Sequence, residues 1–455
     1  MERTDVAVVG GGPGGAAAAR AAAMAGADVT LFEKGVPRTD RNDELGPDST
    51  DAAGILDYWV DIMDEDPAEI PEDVILSELD GATFHGPTES VTIADTGLDG
   101  SYDGFGFTVH RARFDDWLRQ RAEDAGADYR VGTSVTGVET ELSGSSPTHT
   151  LSLAGDGTVE ADALVLADGP QRTVTLDVLD QFLPDGESSG QYLSPDRANH
   201  IAYQEHRRMP AELFDPDHIE FWWGVMPGHT AYPWIFPNDD YVARIGLTMP
   251  IGMDIDDVED RDDYALLEPD DESIPPGRVY IRRLLEQEFP DYDLEDFPIV
   301  EDRGKQAGTE AYPISSTRPV ESPTGANVAV VGGAMGATSA FHEGGDHVAI
   351  RTGKIAGELA ATDDLGQYNA AWKDALGPEM RRNVTFADLV RGMGPTDWDR
   401  HFRTIRRMLE RTGSRKRQAI AAGISGIDVY LRYRRKRWSY RGDRYIQLPE
   451  SQYTV

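Results

Sequence analysis

Gly10-Gly11-Gly12-Pro13-Gly14-Gly15, followed eighteen residues after the last glycine by Glu33, has the spacing needed to grip one end of a dinucleotide. Gly10, Gly12 and Gly15 fill the pattern G-x-G-x-x-G. The first permits a tight turn, the second lets a pyrophosphate approach the backbone, and the third lets a helix lie close on a strand. The free N–H groups at the start of that helix, around Pro13 and Gly14, face the phosphates. Glu33 reaches the ribose hydroxyls, and its charge repels the extra phosphate of NADP.

Two further groups of residues carry chemistry. Tyr232, Trp234 and Phe236 alternate along Tyr232-Pro233-Trp234-Ile235-Phe236-Pro237 and so share one face of a strand. Such a face either packs the sheet's own core or forms an aromatic wall for a long apolar ligand. His342, Glu343, His347 and Tyr232 are candidate proton donors, histidine having the pKa best suited to the task.

These residues need elements to position them. Val6–Val9 is continuously apolar, as a parallel strand buried on both faces should be. A nearly all-alanine helix follows from Pro13 to Ala25, then a strand over Val29–Glu33. Phe114, Trp117, Leu118, Ala122 and Ala125 mark one face of a helix in 110–126, ended by Gly126. Strands are expected over Val131–Val138, over Ala163–Ala167 before Asp168-Gly169, and over Val328–Val331 before Gly332-Gly333. The block 198–250 is rich in aromatic and β-branched residues and reads as an antiparallel sheet. Residues 251–275 read as a solvated loop, and from 366 onward the pattern is helical.

The expected fold is therefore α/β. A Rossmann-type domain (1–60, 105–175 and 300–362) is interleaved with an antiparallel β-sheet domain (61–104 and 176–299). A helical, basic C-terminal segment (363–455) completes the chain.

Composition narrows the function classes. There are 81 acidic residues against 43 lysines and arginines, a net charge of −38. Lysine occurs only at 34, 305, 354, 373, 416 and 436. This balance resembles the proteins of salt-in halophilic archaea and argues against a nucleic-acid partner. Without cysteine the chain can build no disulfide, thiolate zinc site or iron–sulfur cluster. No run is long and apolar enough to span a membrane, and the first strand begins too early for a signal peptide. A cytoplasmic protein is expected. Residues 400–445 invert the charge, with fifteen basic residues against three acids. The stripe Ile420, Ile424, Ile427 and Leu431, with Trp438 nearby, has the look of an interfacial helix for peripheral contact with the inner face of a membrane, which is one reading of this segment beside a solvated helix face. A basic arm lying on the acidic body is a third reading.

Taken in order, G-x-G-x-x-G…E, R-x-x-F-D-x-x-L from Arg111, a strand ending D-G and a strand ending V-G-G-A-x-G resemble FAD proteins of the para-hydroxybenzoate hydroxylase plan. Within that plan, Tyr232–Pro237 matches the Y-x-W-x-F-P motif of the geranylgeranyl reductase family, which includes the archaeal digeranylgeranylglycerophospholipid reductases. The resemblance covers about residues 1–362 and implies FAD as cofactor. It places Gly10, Gly12, Pro13, Gly14 and Gly15 at the pyrophosphate, Glu33 with Lys34 at the adenosine ribose, and Val135 at the adenine through its backbone. Arg111, Asp168, Ala52 and Gly54 also fall in the cofactor set. The loop containing Gly333, Gly336 and Gly345 would pass the flavin ring. Asp346 would cap the next helix, whose positive end would stabilise an anionic reduced flavin.

The implied activity is reduction of isoprenoid C=C bonds, with Tyr232, Trp234 and Phe236 against the substrate. The electron donor stays open between NAD(P)H, ferredoxin and another carrier, because there is only one nucleotide fingerprint. A quinone-reducing relative of the electron-transfer-flavoprotein dehydrogenases and a non-catalytic flavin- or lipid-binding member are the alternatives. Two departures stand out. Gly333 occupies the place of the family's ribityl-binding aspartate, and Leu45–Gly54 lacks the cysteine often found near the flavin.

Overall fold

In the computed structural model, residues 2–36, 54–144, 146–411 and 426–455 are described. Ala52, the Leu45–Ala53 stretch and Ile420 and Ile424 lie outside them.

The glycine fingerprint sits in a seven-stranded sheet. Its strands run in the order Asp128–Arg130, Val29–Phe32, Glu2–Val9, Thr158–Leu166, Thr148–Leu153 and Val135–Glu141. Val328–Val330 adds to the far end of Thr158–Leu166 in parallel. The first strand is parallel to both its neighbours, and its Val6–Val9 stretch is fully buried, as the apolar run requires. The helices Pro13–Met24 and Asp346–Ala361 pack on this layer. Their contact depends on glycine: a Cβ on Gly353 would stand 2.0 Å from the Gly14 carbonyl oxygen, and one on Gly357 would stand 2.1 Å from that of Ala18.

The second sheet also has seven strands, in the order Thr309–Ser315, Asn199–Arg208, Val242–Pro250, Tyr232–Pro237, His218–Trp222, Gly81–His85 and Ser90–Ile93. All neighbours are antiparallel except His218–Trp222 and Gly81–His85. A small third sheet joins Gly54–Leu56, Gly106–Val109 and Ile75–Leu79.

Several expectations need correction. The strand expected over Val131–Val138 begins only at Val135. Gly132, at φ +63°, turns the chain, and the N–H groups of Gly132 and Thr133 donate to the carbonyls of Gly35 and Glu33 instead. Thr309–Ser315, read above with the nucleotide-binding pieces, is an edge strand of the second sheet, paired with Asn199–Arg208. By contrast, the tail after the last helix does lie on the body: Tyr445, Ile446, Leu448 and Tyr453 belong to the main core, and Leu448 bridges to Val320.

Candidate active site

The glycine loop is built as its spacing demands. Gly10, at φ +102°, turns directly beneath the next strand, where a Cβ would lie 2.3 Å from the Ala167 carbonyl oxygen. A Cβ on Gly15 would lie 1.8 Å from the carbonyl of Gly10. Gly12 differs, since a Cβ there would meet nothing within 4 Å. That open position is where the fingerprint calls for a pyrophosphate. The helix starts on Gly12 with Pro13 in its first turn, no side-chain cap and no acid in that turn, so its positive end is uncompensated.

Glu33 closes the loop from the other side. Its two carboxylate oxygens each accept a hydrogen bond at 2.6 Å, from the N–H of Gly11 and of Gly35. Tyr129, which the sequence analysis did not single out, donates from its hydroxyl to the Gly11 carbonyl at 2.6 Å. Lys34 is exposed beside Glu33, and Val135 is half-buried at the start of its strand.

The other cofactor candidates divide into two groups. Arg111 opens the helix Arg111–Asp124, donates to Asp115 at 2.8 Å and reaches Asp346 at 3.4 Å. Asp346 is therefore an ion-pair partner and the first residue of its helix. The cap position is Gly345, which has no side chain to cap with. Asp168 is occupied elsewhere. Its carboxylate accepts from the N–H groups of Val174 and Thr175 and from the Thr175 hydroxyl, which fixes the start of the helix Thr173–Asp180. Burial pushes its pKa up.

Gly333 and Gly336 lie in the turn after Val328–Val330. Gly336, at φ +77°, admits no Cβ, because the Arg318 carbonyl oxygen would be 2.6 Å away. The turn is held by a residue that sequence reasoning missed. Arg172 is completely buried in the left-handed region at φ 53°. It donates to the carbonyls of Gly333 at 2.9 Å and Ala334 at 3.0 Å, to Asn199 Oδ1 at 2.8 Å and to Ser315 Oγ at 2.5 Å. One guanidinium thus joins the parallel layer to the second sheet. Burial lowers its pKa to about 10, which leaves it charged at neutral pH. Its only sequence signal was its place three residues after Asp168-Gly169.

Tyr232, Trp234 and Phe236 do share one face, and all three are buried. Ile235, between them, belongs to the core on the opposite side. Gly246 is paired with Trp234 across the sheet, and a Cβ there would lie 2.6 Å from the indole. The rings pack with Phe221, Trp223, Phe341, Trp398 and Phe402. Trp223 stacks on Tyr232 at 4.4 Å and lies 4.7 Å from Trp398. The helix Pro395–Arg411 covers this face and is pinned at its edge by Asp399 on Thr88 and by Arg403 and Arg406 on Glu89. Phe236 also approaches Gly54, where a Cβ would be 3.0 Å from its ring.

The loop before Asp346 meets the same face. Tyr232 donates its hydroxyl to the His342 carbonyl at 3.0 Å. Glu343, at φ 57°, accepts from Thr248 Oγ1 at 2.6 Å, and its other oxygen lies 2.6 Å from His200 Nδ1. Thr248 is the cross-strand partner of both Tyr232 and Ala202. His342 and His347 flank Trp59. The His347 ring stacks on that indole at 4.1 Å, and His342 lies at 5.0 Å. Gly344 makes room for Trp59, whose ring would be 2.3 Å from a Cβ.

Burial lowers the pKa of His342 to about 3, helped by the Arg382 charge, and lowers that of His347 well below the usual value. Both rings are neutral at pH 7. Burial, and then the Glu343 charge, raises the Tyr232 phenol well above 10.

Comparison with known proteins bears out the resemblance. A family model for an NAD(P)-binding Rossmann-like domain matches residues 8–37. Digeranylgeranylglycerophospholipid reductase 2 of Methanothermobacter thermautotrophicus is 25% identical over 413 residues, covering 88% of this chain and 91% of the relative. Digeranylgeranylglycerophospholipid reductase 1 of Methanosphaera stadtmanae is 29% identical over 253 residues, 54% of this chain and 55% of that one. The crystal structure of a geranylgeranyl bacteriochlorophyll reductase-like protein from Thermoplasma acidophilum shares the fold, with TM-score 0.71 and 20% identity over 96% of this chain and all of its own. The chain is thus similar along nearly its whole length to reductases of this group, and its fold is theirs.

Proposed function

We propose that this chain is an FAD-dependent reductase of isoprenoid carbon–carbon double bonds, acting on the geranylgeranyl chains of archaeal lipids. The observation that carries the reading is the meeting of two motifs. The loop that follows the last parallel strand is bonded through His342 and Glu343 onto the sheet face shared by the Y-x-W-x-F-P rings.

The residues fit the adenylate half of the cofactor. Gly12 leaves open space, the helix behind it begins uncapped, and Glu33 stands at the end of the second strand. Arg111 brings a cation to the start of the helix that follows the flavin-side loop. When bound and reduced, FAD supplies a hydride to one alkene carbon, and the other carbon takes a proton. The protein's share is to align the double bond, exclude water and deliver that proton. We assign the donor role to Glu343 before His342, because the Glu343 carboxyl reaches the sheet at Thr248 while the His342 ring lies against Trp59. Tyr232 would leave a buried phenolate beside Glu343 and is better placed to hold the loop. The aromatic face offers an apolar wall once the helix Pro395–Arg411 moves aside. The discontinuous Rossmann-type unit would hold the cofactor, and the second sheet the lipid.

We place the membrane contact on the helix Gly426–Ser439. Leu431 and Trp438, two turns apart, are 58% and 60% exposed. Arg435 is exposed between them, while Tyr433 stacks on Phe386 and Lys436 reaches Asp388 at 2.8 Å. No helix among the described residues is long and apolar enough to cross a membrane. The acidic composition suits a salt-rich cytoplasm, where the Debye length is about 3 Å at 1 M, so contact pairing and ring insertion would dominate. A single dinucleotide fingerprint suits a donor that docks transiently, either ferredoxin or NAD(P)H. Gly333, lacking the family's carboxylate, favours a second reading in which the protein holds lipid without turnover.

Incubation of the FAD-loaded, chemically reduced protein with a digeranylgeranylglycerophospholipid tests the proposal. Saturated chains by mass spectrometry are expected. An unchanged lipid, with flavin bound and reduced, would favour the second reading.

A further inference from the structure

We propose that His200 and His229 form a proton route that recharges Glu343 between turnovers. The inference rests on the reductase reading above and adds residues that neither the motifs nor the comparisons single out.

The geometry is specific. Glu343 and His200 come from different layers, yet both side chains are almost wholly buried, 2% and 3% exposed. Glu343 holds a left-handed backbone conformation at φ 57°, unusual for a glutamate and sustained only when its surroundings fix it. Its carboxylate is held by the Thr248 hydroxyl on one oxygen and by His200 Nδ1 on the other, each at 2.6 Å. The second is a close polar contact rather than an aligned hydrogen bond. His200 Nε2 is buried without a hydrogen-bond partner among the described residues. A clamp needs only Thr248; an imidazole with one nitrogen on a carboxylate and the other unengaged is suited to passing a proton. His229 is half-buried, and its ring meets that of His200 edge-on, with centroids 5.3 Å apart.

Each double bond reduced consumes one proton. The Glu343 O–H bond breaks as a C–H bond forms on the carbon that does not receive hydride. The carboxylate then takes the proton on His200 Nδ1 as His200 Nε2 takes one from the His229 side and solvent. The groups facing this route are the Tyr232 phenol and Thr248 from the sheet, while the His342 ring lies instead against Trp59. Asp388 and Arg391, at the end of the helix Tyr368–Val390, act on His229. Burial, with His200 and Arg391, holds His229 at about 4, so it carries a proton only in passing.

The test uses FAD-loaded protein in high salt. His200→Gln should slow reoxidation of the reduced flavin by a geranylgeranyl lipid about 100-fold. Reoxidation by dioxygen, which needs no carbon protonation, should stay within about two-fold. His229→Gln should slow the lipid step about 10-fold and displace its pH profile, and added imidazole should restore part of the rate. A His200→Gln protein as fast as wild type with lipid, or equally slow with both oxidants, would overturn the route. A readout without turnover is histidine NMR on the flavin-free protein. Glu343→Gln should shift the titration of His200, and an unmoved His200 would also overturn it. If wild-type reduced protein is not oxidised by lipid at all, the reductase reading itself falls, a result distinct from a lipid-active H200Q protein.

Discussion

The Tyr232 hydroxyl donates to the carbonyl oxygen of His342 at 3.0 Å, and so ties the aromatic strand to the loop beside the last parallel strand. The phenol is buried and the bond is part-buried, so removing the donor should cost about 0.5–1.5 kcal/mol. Tyr232→Phe should therefore lower the denaturant midpoint by a corresponding amount and reduce lipid turnover through a displaced Glu343. Unchanged stability and turnover in urea titration and steady-state assay would refute the link.

Two glycines separate binding from packing. Gly12→Ala meets no neighbour within 4 Å and should fold normally, because φ −70° suits alanine. Its methyl group would occupy the phosphate approach, so FAD affinity by fluorescence titration should fall at least about 10-fold, or 1.4 kcal/mol. Gly353→Ala puts a methyl 2.0 Å from the Gly14 carbonyl and should cost about 1–3 kcal/mol of stability by overpacking. The opposite pattern, with Gly12→Ala unstable and Gly353→Ala silent, would contradict the helix contact described.

Acid should unfold the protein early. Burial lowers His149 and His229 to about 4 and His342 to about 3, and His347 also lies well below its usual value. The unfolded chain binds these protons near pH 6.5 and the folded chain does not, so stability is full above that pH and is lost as pH falls toward the folded values. Denaturation midpoints measured from pH 7 to 5 should decline steadily. Burial raises the carboxyls of Asp57, Asp168 and Glu310, which oppose this slope, so the decline measures the histidine contribution less theirs. A flat profile would mean that these rings are solvated.

Membrane contact depends on two side chains. Replacing Leu431 and Trp438 together by serine should abolish co-sedimentation with anionic ether-lipid vesicles at high salt while leaving soluble turnover intact. Equal pelleting of wild type and variant, or none by either, would remove the helix Gly426–Ser439 from this role.

Much of the fold was legible because its signals are local. Continuous valines gave the parallel strands, the glycine spacing gave the nucleotide loop, and the alternation of Tyr232, Trp234 and Phe236 gave their common face. What could not be read depends on distant partners. Asp346 resembles a helix cap, but the helix already includes it and its cap position falls on Gly345, while Arg111, far away in sequence, stands beside it. Asp168 resembles a cofactor ligand until Val174 and Thr175 are seen to occupy its oxygens. Arg172 and His200 carry no motif, and their importance comes only from the two layers each one joins.

The account is tested most directly by mixing anaerobic, FAD-loaded, dithionite-reduced protein, freed of excess reductant, with a geranylgeranyl glycerophospholipid in high salt and following the flavin absorbance. Return of the oxidised spectrum, with one double bond saturated for each flavin reoxidised, is the predicted result. A flavin that stays reduced with the lipid but reoxidises with quinone, or a protein that takes up no FAD, would contradict it.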